Sequence, residues 1–286
     1  MTALSSPHSS DAHSNDARPD EARPDDEILI TQQDGPIARL RLNRPEARNS
    51  LSCAMLDRLA EAISQYGADT DTKVIILEAA GPGFCAGHDL KEMTAARSQP
   101  DRGRAFFEDT MRKCSEVMQA IVRCPKPVIA SVQGIATAAG CQLVASCDLA
   151  VASTQARFAT PGVHIGLFCS TPMVALSRNI GRKQAMEMLL TGEMVSAEQA
   201  LSWGLVNRVC APDELARTTA ELAELVAGKP ASTVKIGKDA FYRQAEMGLA
   251  DAYDYAAQVM VENMLTRDAE EGIGAFIEKR PPHWSS

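Results

Sequence analysis

The hydrophobic pattern divides the chain into three parts. Residues 1–26 carry almost no apolar side chains after Leu4, so they cannot bury a core and are predicted to be disordered. Residues 27–212 alternate short apolar runs with glycine-containing loops and helical spacing, which predicts a mixed α/β core. Residues 213–286 show mostly amphipathic helical spacing. We expect this last part to form a helical region that makes oligomer contacts.

Within the core, the pattern predicts individual elements. Residues 28–43 read as a β-hairpin that turns at Asp34-Gly35-Pro36, and Ser52 is a plausible N-cap for the following helix. The apolar run at 74–79 suits a fully buried strand. Residues 155–172 are rich in small residues, which predicts short strands and loops.

Two segments of the core repeat one order of elements. Residues 74–93 and 128–153 each place a buried strand before a loop of small residues that opens a helix. Small residues at such a point let a ligand approach the backbone closely. Free N–H groups and the positive end of the helix dipole then favour a developing negative charge. The stretch from Pro125 to Asp148 is therefore predicted to hold part of an oxyanion hole.

Composition, charge, and the numbers of cysteines and histidines limit the functions that the chain can have. With 45% hydrophobic and 23% charged residues and a net charge of −8, the chain is typical of a globular protein and unsuited to nucleic acid or anionic membranes. Its eight cysteines form no CxxC pair, which predicts reduced thiols and, together with an N-terminal segment too acidic for a mitochondrial presequence, a cytoplasmic location. Its five histidines show no ligand spacing, so no metal site is predicted.

Several segments, in order, carry a resemblance to a known family. They are NRPEARNSLS, GPGFCAGHDLKE, PKPVIASVQGIATAAGCQLVASCD, RFATPGVHIGLF and EEGIGAFIEKR. Over about residues 28–280 the chain resembles the enoyl-CoA hydratase/isomerase (crotonase) superfamily. The resemblance implies a spiral of ββα units, a C-terminal helical trimerisation region, and trimers that can pair into hexamers. It also implies an acyl-CoA thioester of fatty-acid metabolism as substrate, with no cofactor beyond the coenzyme A of that substrate.

The resemblance also implies site residues. In this family two backbone N–H groups hold the thioester oxygen, and these fall on His88 and Ala139. The positions expected to line the substrate or coenzyme A path are Arg44, Arg48, Ala86, Asp89, Leu90, Lys91, Gly140, Phe276 and Lys279. Two alternatives stay open: Asp89 could instead cap a helix, and Phe276 with Lys279, which share a face on a predicted helix, could simply be a solvated end.

The chain departs from the family at both catalytic carboxylates. Hydratases of this family use two glutamates to add water across a double bond, and the corresponding positions here are Gln142 and Gly162. A glutamine does not titrate near neutral pH, so Gln142 can position a water or a thioester but cannot accept its proton. Losing both groups should cripple the usual hydration, because each contributes roughly 10² to 10⁴-fold.

Three other side chains could take over chemistry. His164 lies two residues after Gly162, and in an extended segment both would point to one side, with the imidazole reaching the space that glycine leaves. Cys169 could act as a nucleophile if the pKa of its thiol were lowered. The imidazole of His88 could act directly. For each, the ordinary alternative is a structural histidine or an inert buried thiol.

These observations favour an acyl-CoA enzyme, a hydratase-like lyase or isomerase that stabilises a thioester enolate. Two alternatives remain at this point: a non-catalytic acyl-CoA-binding relative, and a crotonase-fold thioester hydrolase. A serine hydrolase is not supported, because the sequence contains no GxSxG segment.

Overall fold

The computed structural model describes residues 28–285, so the disordered tail predicted at 1–26 lies outside the described residues. The strands are Leu29–Asp34 (β1), Ile37–Leu42 (β2), Val74–Ala79 (β3), Val128–Val132 (β4), Ile135–Thr137 (β5), Leu149–Ser153 (β6), Arg157–Ala159 (β7), Val195–Ser196 (β8) and Arg208–Cys210 (β9). The α-helices are Cys53–Ala68 (α1), Leu90–Ala96 (α2), Arg104–Arg123 (α3), Ala139–Ser146 (α4), Ser170–Asn179 (α5), Arg182–Thr191 (α6), Ala197–Trp203 (α7), Leu215–Ala227 (α8), Ala231–Gln244 (α9), Leu249–Met264 (α10) and Arg267–Glu278 (α11).

The strands form two sheets. The larger has the order β1-β2-β3-β4-β6-β9, and the smaller has the order β5-β7-β8. The predicted hairpin is confirmed, because β1 and β2 pair antiparallel; from β2 to β9 the larger sheet is parallel. The predicted cap is also confirmed, because Ser52 Oγ accepts a hydrogen bond from Met55 N at 3.2 Å at the start of α1.

The parallel strands are buried on both faces, which explains why they read as continuous apolar runs. Ile75 and Leu77 of β3 point into the main core, which also contains residues of α1, α3 and α4. Val74 and Ile76 point to the opposite face, where α8 covers the sheet with Leu222 and neighbouring residues. The carboxyl ends of β3 and β4 lie at one edge of this covered sheet, and the loops that follow them meet there.

The C-terminal helices differ in how they pack. Helix α8 packs against the larger sheet and completes the second core. The first helix of the C-terminal region predicted from residue 213 is therefore part of the sheet's packing. Helices α9 and α10 contain no buried residue. Helix α9 is held by Lys238, whose Nζ donates to Asp148 Oδ2 at 2.6 Å. None of the helices within residues 28–285 combines the length and the apolar character that a membrane span requires.

Candidate active site

The loop after β3 is held on one side by the short strand β5. Cys85 N donates to Ile135 O at 3.1 Å, and Thr137 N donates to Cys85 O at 2.9 Å. These bonds make a parallel bridge between Cys85 and Ala136. The strand pairing ends after this bridge, because a helix begins at Ala139. The two predicted donors of the oxyanion hole, at His88 and Ala139, therefore follow two backbone segments that are joined at Cys85 and Ala136.

On its other side the same loop pairs with residues 48–51. Leu51 N donates to Gly87 O at 2.8 Å, and Asp89 N donates to Leu51 O at 3.2 Å, so this bridge does not use the N–H of His88. In a trans peptide the carbonyl and the N–H point in opposite directions. Because Gly87 O faces Leu51, the His88 N–H points away from residue 51. No acceptor within residues 28–285 is bonded to it.

The second donor lies at the start of α4. The hydrogen-bond ladder of this helix begins with Gln142 N, which donates to Ala138 O at 3.0 Å, so the Ala139 N–H precedes it. Ala138 has φ 51° and ψ −120°, an unusual conformation for a residue with a side chain. Strain of this kind costs about 1–3 kcal/mol and concentrates at functional sites.

Two glycines allow the donor segments to approach. A Cβ built on Gly87 would lie 3.3 Å from Ala139 N, and one built on Gly140 would lie 2.2 Å from Cys85 O. Real Cβ atoms do not come that close to a backbone oxygen, so only glycine fits at position 140. The small residues of the sequence thus bring His88 and Ala139 together.

Comparison with known proteins identifies the family. The family model described as enoyl-CoA hydratase/isomerase matches residues 32–286. The chain belongs to this family. Its relatives include a rat protein named enoyl-CoA hydratase domain-containing protein 3, mitochondrial, which is 50% identical over 89% of this chain and 83% of its own length.

Solved structures show the same fold. An enoyl-CoA hydratase from Mycobacterium smegmatis superposes with a TM-score of 0.86 at 51% identity, covering 91% of this chain and 99% of its own. Human enoyl-CoA hydratase domain-containing protein 3 gives 0.85 at 47% identity, covering 90% and 100%. The predicted fold class is therefore confirmed: the protein has the α/β crotonase fold with C-terminal helices.

The predicted cytoplasmic location is wrong. Rat, mouse and human relatives are all named mitochondrial, which points to mitochondria rather than the cytoplasm. The prediction rested partly on free thiols, and these do not distinguish one reducing compartment from another. It rested also on the acidic N-terminal segment, which lies outside the described residues.

The position predicted to correspond to the first catalytic glutamate of the family, Gln142, holds a buried amide. Gln142 is 4% exposed, and its Oε1 lies 3.9 Å from the thiol of Cys114 on α3. No acceptor among the described residues is bonded to its side-chain nitrogen. Desolvation raises the pKa of Cys114 to about 12, so this thiol stays protonated. The pair Gln142 and Cys114 therefore offers hydrogen bonds but no base at neutral pH.

At Gly162, the position predicted to correspond to the second glutamate, the space for a side chain is filled rather than vacant. A Cβ built on Gly162 would lie 2.7 Å from Leu167 O and 2.9 Å from Cys169 Sγ. The space that an imidazole was expected to use is thus occupied by the loop that follows. Burial also raises the pKa of the Cys169 thiol, which disfavours the nucleophilic role considered from the sequence.

The geometric reason for a catalytic His164 is also corrected. Residues Pro161–Ile165 form a 3₁₀ helix rather than an extended segment, so Gly162 and His164 do not share one side. The His164 side chain is exposed, and its Nε2 lies 2.8 Å from Thr191 O at the end of α6. The catalytic role stays a prediction without geometric support.

The imidazole of His88 has its own environment, distinct from that of the backbone N–H of the same residue. Both ring nitrogens are buried, and no well-aligned hydrogen bond from the described residues satisfies either of them, although the Leu51 backbone lies close enough to oppose the lowering of the pKa in part. Desolvation lowers the pKa of this histidine below its ordinary value of 6.5, which keeps the ring neutral at pH 7. A neutral imidazole has one donor and one acceptor nitrogen, so it remains available for a polar ligand.

The predicted coenzyme A positions fall into two groups. Near the loop, Arg44 forms an ion pair with Asp89 at 3.2 Å, and Arg48 O accepts from Ala86 N at 3.1 Å. Asp89 caps α2, accepting from Lys91 N at 3.0 Å, and Leu90 is exposed.

The other group lies at the C-terminal end of the chain. Phe276 is 84% exposed on α11, but Lys279 is the left-handed residue that ends this helix, with φ 57°. The shared helical face that we predicted for this pair is therefore wrong. Within residues 28–285, no hydrogen bond or ion pair joins either residue to the loop of His88. No group of three or more metal-ligating side chains occurs in the same range.

Sequence reasoning missed the residues that hold the loop of His88 from behind. Asn49 is fully buried, and its side chain bonds to Arg44 N, Ala80 O and Gly83 O. Gln133 Nε2 donates to Gly83 O as well. Its bonded carbonyls at residues 80 and 83 are remote along the chain, and burial is not visible in a sequence, so no local signal marked Asn49.

Proposed function

We propose that the protein binds acyl-CoA thioesters and holds the carbonyl oxygen between the N–H groups of His88 and Ala139. The observation that supports this proposal is the close approach of the two segments: a Cβ built on Gly87 would lie 3.3 Å from Ala139 N, and the His88 N–H has no bonded acceptor among residues 28–285. An enolate formed from the thioester would place its negative charge on that oxygen, where fixed backbone donors stabilise it without reorganisation.

The proposed activity is hydratase-like lyase or isomerase chemistry that passes through this enolate. Gln142 would position a water or the acyl group through its amide, and it would not transfer a proton. Standard hydration is therefore expected to be slow, because the usual two carboxylates each supply roughly 10² to 10⁴-fold. Arg44 and Arg48 are proposed to meet the phosphates of coenzyme A, with Phe276 and Lys279 of a neighbouring subunit.

A second candidate is a non-catalytic acyl-CoA-binding protein. The observation that favours it is the filled space at Gly162, where Cys169 Sγ and Leu167 O leave no room for a side chain. Under this proposal the carbonyl site serves retention of the ligand alone.

Calorimetry together with ¹³C NMR separates the two candidates. The purified protein would be titrated with crotonyl-CoA and butyryl-CoA, and the C2 and C3 signals of labelled crotonyl-CoA would be followed in D₂O. We expect micromolar binding with slow change at C2 or C3. Binding without any change would favour the non-catalytic candidate, and absence of binding would overturn both.

We also propose a homotrimer, with hexamers formed by paired trimers. Its support is the apolar surface of α10 and α11, where Leu249, Tyr253 and Phe276 are each more than 70% exposed. Unpartnered apolar surface of this extent marks interaction sites. Light scattering coupled to size-exclusion chromatography would test it, and a monomer at micromolar concentration would contradict it.

A further inference from the structure

The loop that orients the His88 peptide has a strained backbone. Arg48 and Asn49 are consecutive residues with φ 53° and 52°, in the left-handed region that side chains disfavour. Asparagine tolerates this region better than most residues, because its short amide can bond locally. Asn49 is fully buried, so its conformation and its polar atoms must both be supported from within the protein.

The side chain of Asn49 joins two separate segments. Its Oδ1 accepts from Arg44 N at 2.8 Å, which closes the loop that precedes Leu51. Its Nδ2 donates to Ala80 O at 2.8 Å and to Gly83 O at 3.0 Å, which fixes the turn that leads into the loop of His88. One amide therefore sets the distance between the two segments that meet at Leu51 and Gly87.

This distance determines where the His88 N–H points. Leu51 holds Gly87 O at 2.8 Å and Asp89 N at 3.2 Å, so both peptides flanking His88 are oriented by residue 51. Asp89 is held to the same loop by Ser50 Oγ at 3.3 Å and by Arg44 at 3.2 Å. The oxyanion donor consequently cannot turn unless the loop anchored by Asn49 moves.

We propose that Asn49 is a positioning residue for the thioester oxygen, acting through Leu51 on the His88 N–H. The inference rests on the proposed function and deepens it. It assigns to Asn49 an effect on the carbonyl contact alone, separate from the contacts of the coenzyme A portion.

The test compares two ligands that differ only at the carbonyl. Butyryl-CoA carries the thioester oxygen, whereas S-butyl-CoA has a CH₂ group in its place and cannot use the hole. Calorimetry gives the dissociation constant of each, and their ratio reports the carbonyl contact. Asn49→Gly removes all three side-chain bonds and relieves the left-handed backbone, so strain does not confuse the result.

We expect the wild-type protein to prefer butyryl-CoA about tenfold or more, as the loss of one or two hydrogen bonds implies. Asn49→Gly should lower this preference by about tenfold and leave the S-butyl-CoA constant within about twofold. Asn207→Gly is the matched control, because its Oδ1 accepts from Ala150 N at 2.8 Å at the opposite edge of the sheet. It should keep the wild-type preference.

Asn49→Asp is the second variant if Asn49→Gly does not fold. It retains the shape and the acceptor for Arg44 N, but it turns an oxygen toward Ala80 O and Gly83 O in place of the two donated bonds, so it should lower the preference by at least the same factor. A folded variant with the wild-type preference, or equal weakening of both ligands, would overturn the inference. A wild-type protein that binds neither ligand, or both equally, would instead overturn the proposed function.

Discussion

The two halves of the candidate site depend on different chemical groups, backbone N–H groups in one and side chains in the other. The half around His88 and Ala139 consists of backbone groups, which are held by bonds to β5 and to residues 48–51. The half around Gln142 and Gly162 depends on side chains, and there the structure has a hydrogen-bonding amide and a packed loop at the two positions where we predicted the carboxylates of the family to be missing. The first half is set by the fold, whereas the second can change by single substitutions.

This difference indicates which property the chain can lose. A backbone oxyanion hole persists as long as the surrounding glycines and pairings persist, because no side chain supplies it. A proton-transfer site disappears with its titratable groups. Substitutions in each half should therefore affect binding of the carbonyl and transfer of protons separately.

The largest expected effect comes from returning a carboxylate to the second half. Gln142→Glu should raise crotonyl-CoA hydration by about 10²-fold or more, because it supplies a general base. At 4% exposure, burial would raise the pKa of this carboxyl, so the rate should rise with pH through that pKa. Stopped-flow loss of enoyl absorbance measures the rate. Gln142→Ala is the control without a base, and equal rates in the two variants would contradict the prediction.

A substitution in the first half should damage the fold itself. Gly140→Ala should lower the free energy of unfolding by about 3 kcal/mol, because its Cβ would lie 2.2 Å from Cys85 O. Urea unfolding at fixed protein concentration measures this value. Gly237→Ala is the matched control in α9, where a Cβ meets nothing within 4 Å and should add about 0.5–1 kcal/mol. Similar results for both glycines would exclude the close approach.

The side chain of His88 should make the free energy of unfolding depend on pH. Its pKa lies below 6.5 in the folded protein, so below pH 6.5 the unfolded chain binds a proton that the folded chain does not. Stability should fall with decreasing pH in this window, by at most about 1.4 kcal/mol per pH unit. His88→Ala retains the backbone donor and should remove this part of the slope. Urea unfolding between pH 7 and pH 5 compares the two, and parallel curves would contradict the prediction.

The smallest effect is expected at His164. Loss of its hydrogen bond to Thr191 O should lower the free energy of unfolding by about 0.5–1.5 kcal/mol. Any turnover of crotonyl-CoA should stay unchanged in His164→Ala, since the 3₁₀ helix separates this side chain from the space at Gly162. Thermal unfolding and the NMR assay measure both quantities. Loss of turnover with intact stability would restore the catalytic role predicted from the sequence.

The pattern of the sequence predicted the elements whose signal is local. The run at 74–79 and the cap at Ser52 depend on neighbouring residues, and both agree with the structure. Strand β5 was missed because three residues carry too little periodicity, and it is defined by bonds to the distant Cys85. The partners of Asn49 are likewise remote along the chain.

Gly162 shows a different limit of sequence reasoning. A glycine was interpreted as open space, yet its missing Cβ permits the close approach of Leu167 O. A glycine can thus leave an open space or allow another part of the chain to pack against its backbone. At Gly162 the path of the following loop decides between the two. The loop takes this path where the 3₁₀ helix ends, and Leu167 N donates there to Gly162 O at 2.9 Å.

Infrared spectroscopy of bound crotonyl-CoA, labelled with ¹³C at the carbonyl, tests the central claim most directly. A retained oxyanion hole should shift the carbonyl band to lower frequency, because two hydrogen bonds polarise the thioester. Because Gln142 and Gly162 supply no carboxylate, water should add to the double bond slowly, and the C=C band should stay nearly unchanged while the carbonyl is bound. An unshifted carbonyl band would contradict the proposed oxyanion hole at His88 and Ala139. Rapid loss of the C=C band would contradict the proposed absence of proton transfer at Gln142 and Gly162.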